Sequence, residues 1–147
     1  MKKVEEKKPN NNTQIEDRPR PVDKSPIYIV ARKMNKTIAE VIAGMDRKYR
    51  YQTGTFILKQ GFVLSTIITR TYRAFGNLNL QFERANQIID ECDLLISMLQ
   101  SAYDNHIICR PHFVMLIDSC VSIMKQTTGW INAIYSKLSA NNISLNA

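Results

Sequence analysis

A chain of 147 residues with 44% apolar side chains and a net charge of +7 is long enough for one domain with a real core and too apolar to be disordered throughout. It contains no run of the ~18 apolar residues that a membrane span needs. The opening Met1-Lys-Lys-Val-Glu-Glu-Lys-Lys-Pro9 also lacks the apolar centre of a secretory signal, so a cytoplasmic protein is expected.

Residues 1–24 carry seven basic and five acidic side chains, with only Val4, Ile15 and Val22 apolar. So little apolar surface cannot offset the entropy of ordering, and a disordered charged tail is expected.

The first helix should open at Ser25-Pro26, where Ser serves as N-cap and Pro at the first helical position loses no useful donor. Ile27, Val30, Ala31, Met34, Ile38, Val41, Ile42 and Met45 then recur at steps of three and four, with Arg32, Lys33, Lys36 and Glu40 on the other side. A connection from Arg47 to Gly54 interleaves Arg47, Lys48 and Arg50 with Tyr49 and Tyr51. That mixture suits phosphate contact with base stacking. It equally describes an ordinary helix–helix loop whose tyrosines pack on the bundle end.

A second helix is expected from about Thr55 to Phe75, with a seam of Ile57, Gly61, Leu64, Ile68, Thr71 or Tyr72, and Phe75. Phe56, Phe62, Val63 and Ile67 flank the seam and make the helix apolar over more than half its circumference, as in a central helix or one covered by a second subunit. Gly61 would let another backbone approach closely. Gly76-Asn77 reads as a turn. The third helix follows from Leu78 to about Tyr103, with Leu78, Phe82, Ala85, Ile89, Cys92, Ile96, Leu99 and Tyr103 in a heptad seam and Ile88, Leu95 and Met98 beside it. The fourth opens at Arg110-Pro111 and carries Phe113, Ile117, Cys120, Met124, Thr127, Ile131, Ile134 and Leu138 at the same spacing. Residues 139–147 are Asn-rich and expected to fray. Residues 25–138 therefore read as an all-α, up-down-up-down antiparallel four-helix bundle.

Charge is unevenly placed. Residues 25–76 hold Arg32, Lys33, Lys36, Arg47, Lys48, Arg50, Lys59, Arg70 and Arg73 against Glu40 and Asp46 alone. Residues 77–109 hold Arg84 against Glu83, Asp90, Glu91, Asp93 and Asp104. The nine basic residues of the first half are the nucleic-acid-binding candidates, since they could hold a phosphate backbone by counterion release. The acidic helix could instead meet a basic protein face. Both could also be ordinary solvated faces.

Catalytic patterns are missing. Neither His106 nor His112 has a carboxylate three residues before it, as a Glu-x-x-His di-metal bundle requires, and Cys109 with His112 makes one ligand pair at best. There is no Gly-rich phosphate loop or Gly-x-Ser-x-Gly elbow. Cys92, Cys109 and Cys120 read as free, reduced cysteines. No catalytic residue, metal site or cofactor is expected, and a binding protein is favoured over an enzyme.

From Ile27 to Ala133 the chain resembles the accessory variability determinants of diversity-generating retroelements, within the group of small four-helix-bundle proteins that includes those encoded in ribosomal RNA intervening sequences. The resemblance rests on Tyr28 in the first helix, the basic aromatic turn from Arg47 to Gly54, the apolar second helix, Arg84-Ala85 early in the third, and Gly129-Trp-Ile131 in the fourth. It implies a homopentameric barrel of bundles that binds RNA and DNA. It also implies association with the element's reverse transcriptase in making mutagenised complementary DNA from template RNA. A bundle of the intervening-sequence type, with no polymerase partner, is the alternative. The charged tail and the acidic third helix depart from the family pattern.

Overall fold

The computed structural model describes residues 22–145, with side chains described as far as residue 142. Most of the tail, residues 1–21, and the last two residues lie outside that range, so the expected disorder of residues 1–21 falls outside the described residues. Among the described residues there is no strand. Four long helices, α1 (Pro26–Ala43), α3 (Thr55–Arg73), α4 (Leu78–Asp104) and α5 (Arg110–Leu145), pack together, with the single turn α2 (Arg47–Tyr49) between the first two.

The caps explain where the helices begin. Ser25 Oγ accepts the Tyr28 backbone N–H at 3.3 Å, with Pro26 at the first position. A 3-10 turn, Val22–Lys24, leads directly into that cap. Asn77 Oδ1 accepts the Leu80 N–H at 3.1 Å and starts α4, just after Gly76 has reversed the chain at φ +90°.

The α4–α5 turn is closed by a Schellman arrangement. The Ile107 N–H bonds back to the Ala102 carbonyl at 2.8 Å and the His106 N–H to that of Tyr103 at 3.0 Å. His106 occupies the left-handed position, φ 59°, which glycine usually takes. Tyr103 and Phe113 stack across the turn, with ring centroids 4.5 Å apart and planes 7° apart.

Each long helix touches two others: α1 lies against α3 and α5, and α4 against α3 and α5. Cross-helix contacts fix the directions. Gln60 meets Glu91 while Gln81, ten residues earlier on α4, meets Thr71, so α3 and α4 run antiparallel. Phe82 near the start of α4 meets Tyr135 late in α5, and Tyr103 near its end meets Phe113 early in α5. The core holds Ile27, Ala31, Met34, Ile38 and Val41 from α1, Ile57, Leu64 and Ile68 from α3, Ile88, Cys92, Leu95 and Leu99 from α4, and Leu116, Cys120 and Ile123 from α5.

Two seams are rotated from the predicted ones. On α4 the buried line is Gln81, Ala85, Ile88, Cys92, Leu95, Leu99, Ala102. Phe82, Ile89, Ile96 and Tyr103 are only half buried, on the flank toward α5. On α5 the line runs through Leu116, Cys120, Ile123, Thr127 and Ile134, with Phe113, Ile117, Met124 and Ile131 half buried. Both helices are apolar over two adjacent heptad lines that share every second member. Which line is deepest depends on the neighbouring helices, and on α4 that choice buries Gln81; Gln60 and Thr71 on α3 and Thr127 on α5 are buried too. Thr71 and Thr127 satisfy their hydroxyls on the carbonyls of Ile67 and Ile123, at 2.8 and 2.7 Å.

The expected Arg47–Gly54 loop is instead helical. Only Gly44, Met45 and Asp46 separate α1 from α2, and a π turn, Arg50–Gly54, carries α2 into α3. In a regular helix Tyr49 would sit roughly 80° around from Ile57. The π turn absorbs one residue, bringing the two within about 20°, and both pack into the core. Gly54 is buried, and a Cβ there would stand only 3.0 Å from Ile42 Cγ2. Gly61 admits a side chain rather than a backbone: Asn35 donates to the Gly61 carbonyl at 3.3 Å and to Ser65 Oγ at 2.8 Å. Helix α5 continues to Leu145, past Leu138 where fraying was expected to begin.

Candidate nucleic-acid interface

The nine basic candidates fall into three groups. Arg32, Lys33 and Lys36 are exposed on the outward face of α1. Lys33 faces away from the edge that Asn35 presents to α3, whereas Arg32 lies within about 60° of that edge by helical spacing and Lys36 lies between them on the outer side. Lys59, Arg70 and Arg73 are exposed along α3. Lys59 and Arg70 are eleven residues apart, about three turns, and so share one outer line, on the flank toward α4. Lys33 and the Lys59–Arg70 line therefore lie on different flanks of the bundle.

The third group lies at the bundle end. Arg47 and Lys48 are exposed on α2, and Tyr51 is 73% exposed beside them. Tyr49 is half buried against the core, and Lys48 Nζ lies 4.9 Å from its ring centroid. The two readings of this segment therefore divide between its tyrosines: Tyr49 packs on the bundle end, while Tyr51 presents a free ring beside two cations. Such a ring can stack a base while the cations hold phosphates.

Arg50 has a different role from its neighbours. Its Nη2 donates to the Ala43 carbonyl at 3.1 Å and to the Met45 carbonyl at 3.3 Å. The Ala43 carbonyl ends α1 and the Met45 carbonyl lies in the connection just beyond it, so Arg50 ties the end of α1 and that connection to the π turn that leads into α3. Its Nε is buried without a hydrogen-bond partner. A guanidinium held this way is a structural clamp first, a role that composition could not reveal.

Arg84 was not among the candidates. It is half buried and its Nη1 donates to the Arg70 carbonyl at 3.1 Å, placing a further cation beside the α3 line. Its position in the opening turns of α4, opposite the end of α3, was the available signal. The same α3–α4 groove has apolar walls, with Phe56 and Leu94 64% and 49% exposed. Across it Gln60 Nε2 donates to the Glu91 carbonyl at 3.0 Å and also to the Glu91 carboxylate. Phe62, on the outer face of α3, is 55% exposed.

Cys92 and Cys120 are buried, and burial pushes both thiols up to about 12. Cys120 Sγ rests 3.9 Å from Met34 Sδ. Cys109 is exposed near His106 and His112 at the α4–α5 turn. Among the described residues no three His, Cys, Asp or Glu side chains are grouped to hold a metal ion, and no helix is long and apolar enough to cross a membrane. Comparison with protein-family models, curated proteins and solved structures found no match to this chain.

Proposed function

We propose that this chain is a basic nucleic-acid-binding accessory protein of the type found in diversity-generating retroelements, one that joins a reverse transcriptase and its template RNA during mutagenic cDNA synthesis. The observation that carries the reading is the bundle end, where Arg47, Lys48 and the exposed Tyr51 ring lie together on a rigid helical turn. Cations with a free aromatic ring suit single-stranded RNA better than they suit a protein partner. The outward Arg32, Lys33 and Lys36 add a second place for phosphates.

The apolar side chains that α3 leaves exposed, Phe56 and Phe62, support self-association. The proposed assembly is the homopentamer that the family resemblance implies. The role is binding rather than catalysis, without metal or cofactor, in the cytoplasm.

The test is co-expression with a reverse transcriptase encoded beside this chain, followed by affinity purification and mass measurement of the complex. A stoichiometric complex containing several copies of this chain supports the proposal. A chain that purifies without the polymerase, yet forms the same oligomer, returns it to the intervening-sequence type of bundle.

A further inference from the structure

At the end of the bundle where α3 stops and α4 starts, a cleft of about 550 Å³ is lined by Tyr72, Phe75, Leu78, Trp130 and Ile134, with Lys137 on its rim. Its walls are chiefly aromatic and aliphatic, and Phe75 is 58% exposed. A second, smaller cleft of about 260 Å³ adjoins it, lined by Lys24, Ser25, Pro26 and Ile27 and by the same Tyr72 and Trp130. These two rings meet edge to face, with centroids 5.9 Å apart, and form the ridge between the clefts. The described chain therefore begins beside the smaller cleft, across the Tyr72–Trp130 ridge from the larger one.

The sequence just before that point is Ile15-Glu-Asp-Arg-Pro-Arg-Pro21. Two prolines separated by one residue favour the extended polyproline conformation, at about 3.1 Å per residue. Aromatic grooves recognise such segments because a proline ring fits between flat faces and loses little entropy on binding. Seven residues in that form span roughly 20 Å, which brings Pro21, Pro19 and Ile15 within reach of both clefts. A tethered segment also has an effective concentration on the order of millimolar, so it fills the site ahead of a free competitor. The segment also carries two carboxylates, Glu16 and Asp17, of the sign that suits the Lys137 ammonium at the rim.

We propose that residues 15–21 fold back in cis and occupy the Tyr72–Phe75–Trp130 cleft, with the prolines against the rings. The tail then has a defined docking site on the bundle.

Trp130 is the only tryptophan in the chain, so its fluorescence reports on this cleft alone. The experiment compares acrylamide quenching of the full-length protein with that of a full-length Ile15→Ser/Pro19→Ser/Pro21→Ser variant at matched helicity. The expected result is at least a twofold larger quenching constant in the variant, with a red-shifted emission maximum. Identical quenching in the two proteins overturns the proposal. A photo-crosslinking benzoylphenylalanine placed at Ala133, on the cleft wall, gives an independent readout by peptide mass. An intrachain link to residues 15–21 is expected, and a link to a different segment or to a second chain overturns the proposal. Neither readout depends on nucleic-acid binding, so this inference and the proposed function can fail separately.

Discussion

The contact between Asn35 and Gly61 gives a sharp energetic test of how α1 meets α3. A Cβ added at Gly61 would stand 2.3 Å from Asn35 Oδ1 and 3.2 Å from Ile38 Cδ1. The first distance is inside van der Waals contact, so in Gly61→Ala the Asn35 amide must move. It then loses its bonds to the Gly61 carbonyl and to Ser65 Oγ. Two partly buried hydrogen bonds are worth about 1 kcal/mol each, and overpacking adds about 1 kcal/mol. Replacing glycine by alanine inside a helix returns about 1 kcal/mol. The net expectation is destabilisation by about 2 kcal/mol.

In an Asn35→Ala background the clash is gone, and so is the buried Oδ1 that has no hydrogen-bond partner. There Gly61→Ala should stabilise by about 0.5–1 kcal/mol, the propensity gain reduced by the remaining Ile38 contact. The coupling energy is therefore about 2.5–3 kcal/mol. Urea unfolding followed by circular dichroism, with all four proteins at one concentration, measures it directly. If Gly61→Ala changes stability equally in both backgrounds, the account of this helix pair is wrong.

Arg50→Ala should cost about 1–2 kcal/mol of stability through its two carbonyl bonds, whereas Arg47→Glu/Lys48→Glu should leave the urea midpoint nearly unchanged and flatten the salt dependence of RNA binding by about 1.4 log units per log unit. Thiol titration at neutral pH should find one fast cysteine per chain, Cys109, with Cys92 and Cys120 reacting only after unfolding. Because burial pushes the thiols of Cys92 and Cys120 from the ordinary 9.0 up to about 12, their contribution is fully present below pH 9 and lost between pH 9 and 12. Stability should therefore fall by up to about 1.4 kcal/mol per pH unit for each thiol, and Cys92→Ala/Cys120→Ala should flatten that slope. His106→Gly should raise stability by about 0.5–1 kcal/mol by relieving the left-handed backbone, and His106→Ala should not, a difference read from urea midpoints.

Helix number and order, the Ser25 and Asn77 caps and the α1 core were legible because each rests on local chemistry. Alternating three- and four-residue steps leave Ile27, Met34 and Ile38 only one side to bury. On α4 and α5 the same rule offered two lines. Ile88 and Ile89 are equally apolar, and only the neighbouring helices decide which lies deeper. Burial of Gln60 and Gln81 could not be read, since their partners are a backbone carbonyl with a carboxylate and a carbonyl alone, each on another helix. The segment Arg47–Gly54 looked like a loop because it is polar and ends in glycine. Gly54 is there for the close approach of Ile42, and the segment is helical. The basic candidates were visible as residue types. Their division among three places, and the use of Arg50 as a clamp, belong to tertiary structure.

The proposed function stands most directly on the salt dependence of RNA affinity. Labelled single-stranded RNA should be titrated with the purified chain between 50 and 300 mM salt, with fluorescence anisotropy as the readout. Five phosphate contacts from Arg32, Lys33, Lys36, Arg47 and Lys48 give a slope of log affinity against log salt of roughly −3.5, steeper if several chains engage one RNA. A folded chain that leaves the RNA unbound at 50 mM salt, or whose affinity does not change with salt, would contradict the account.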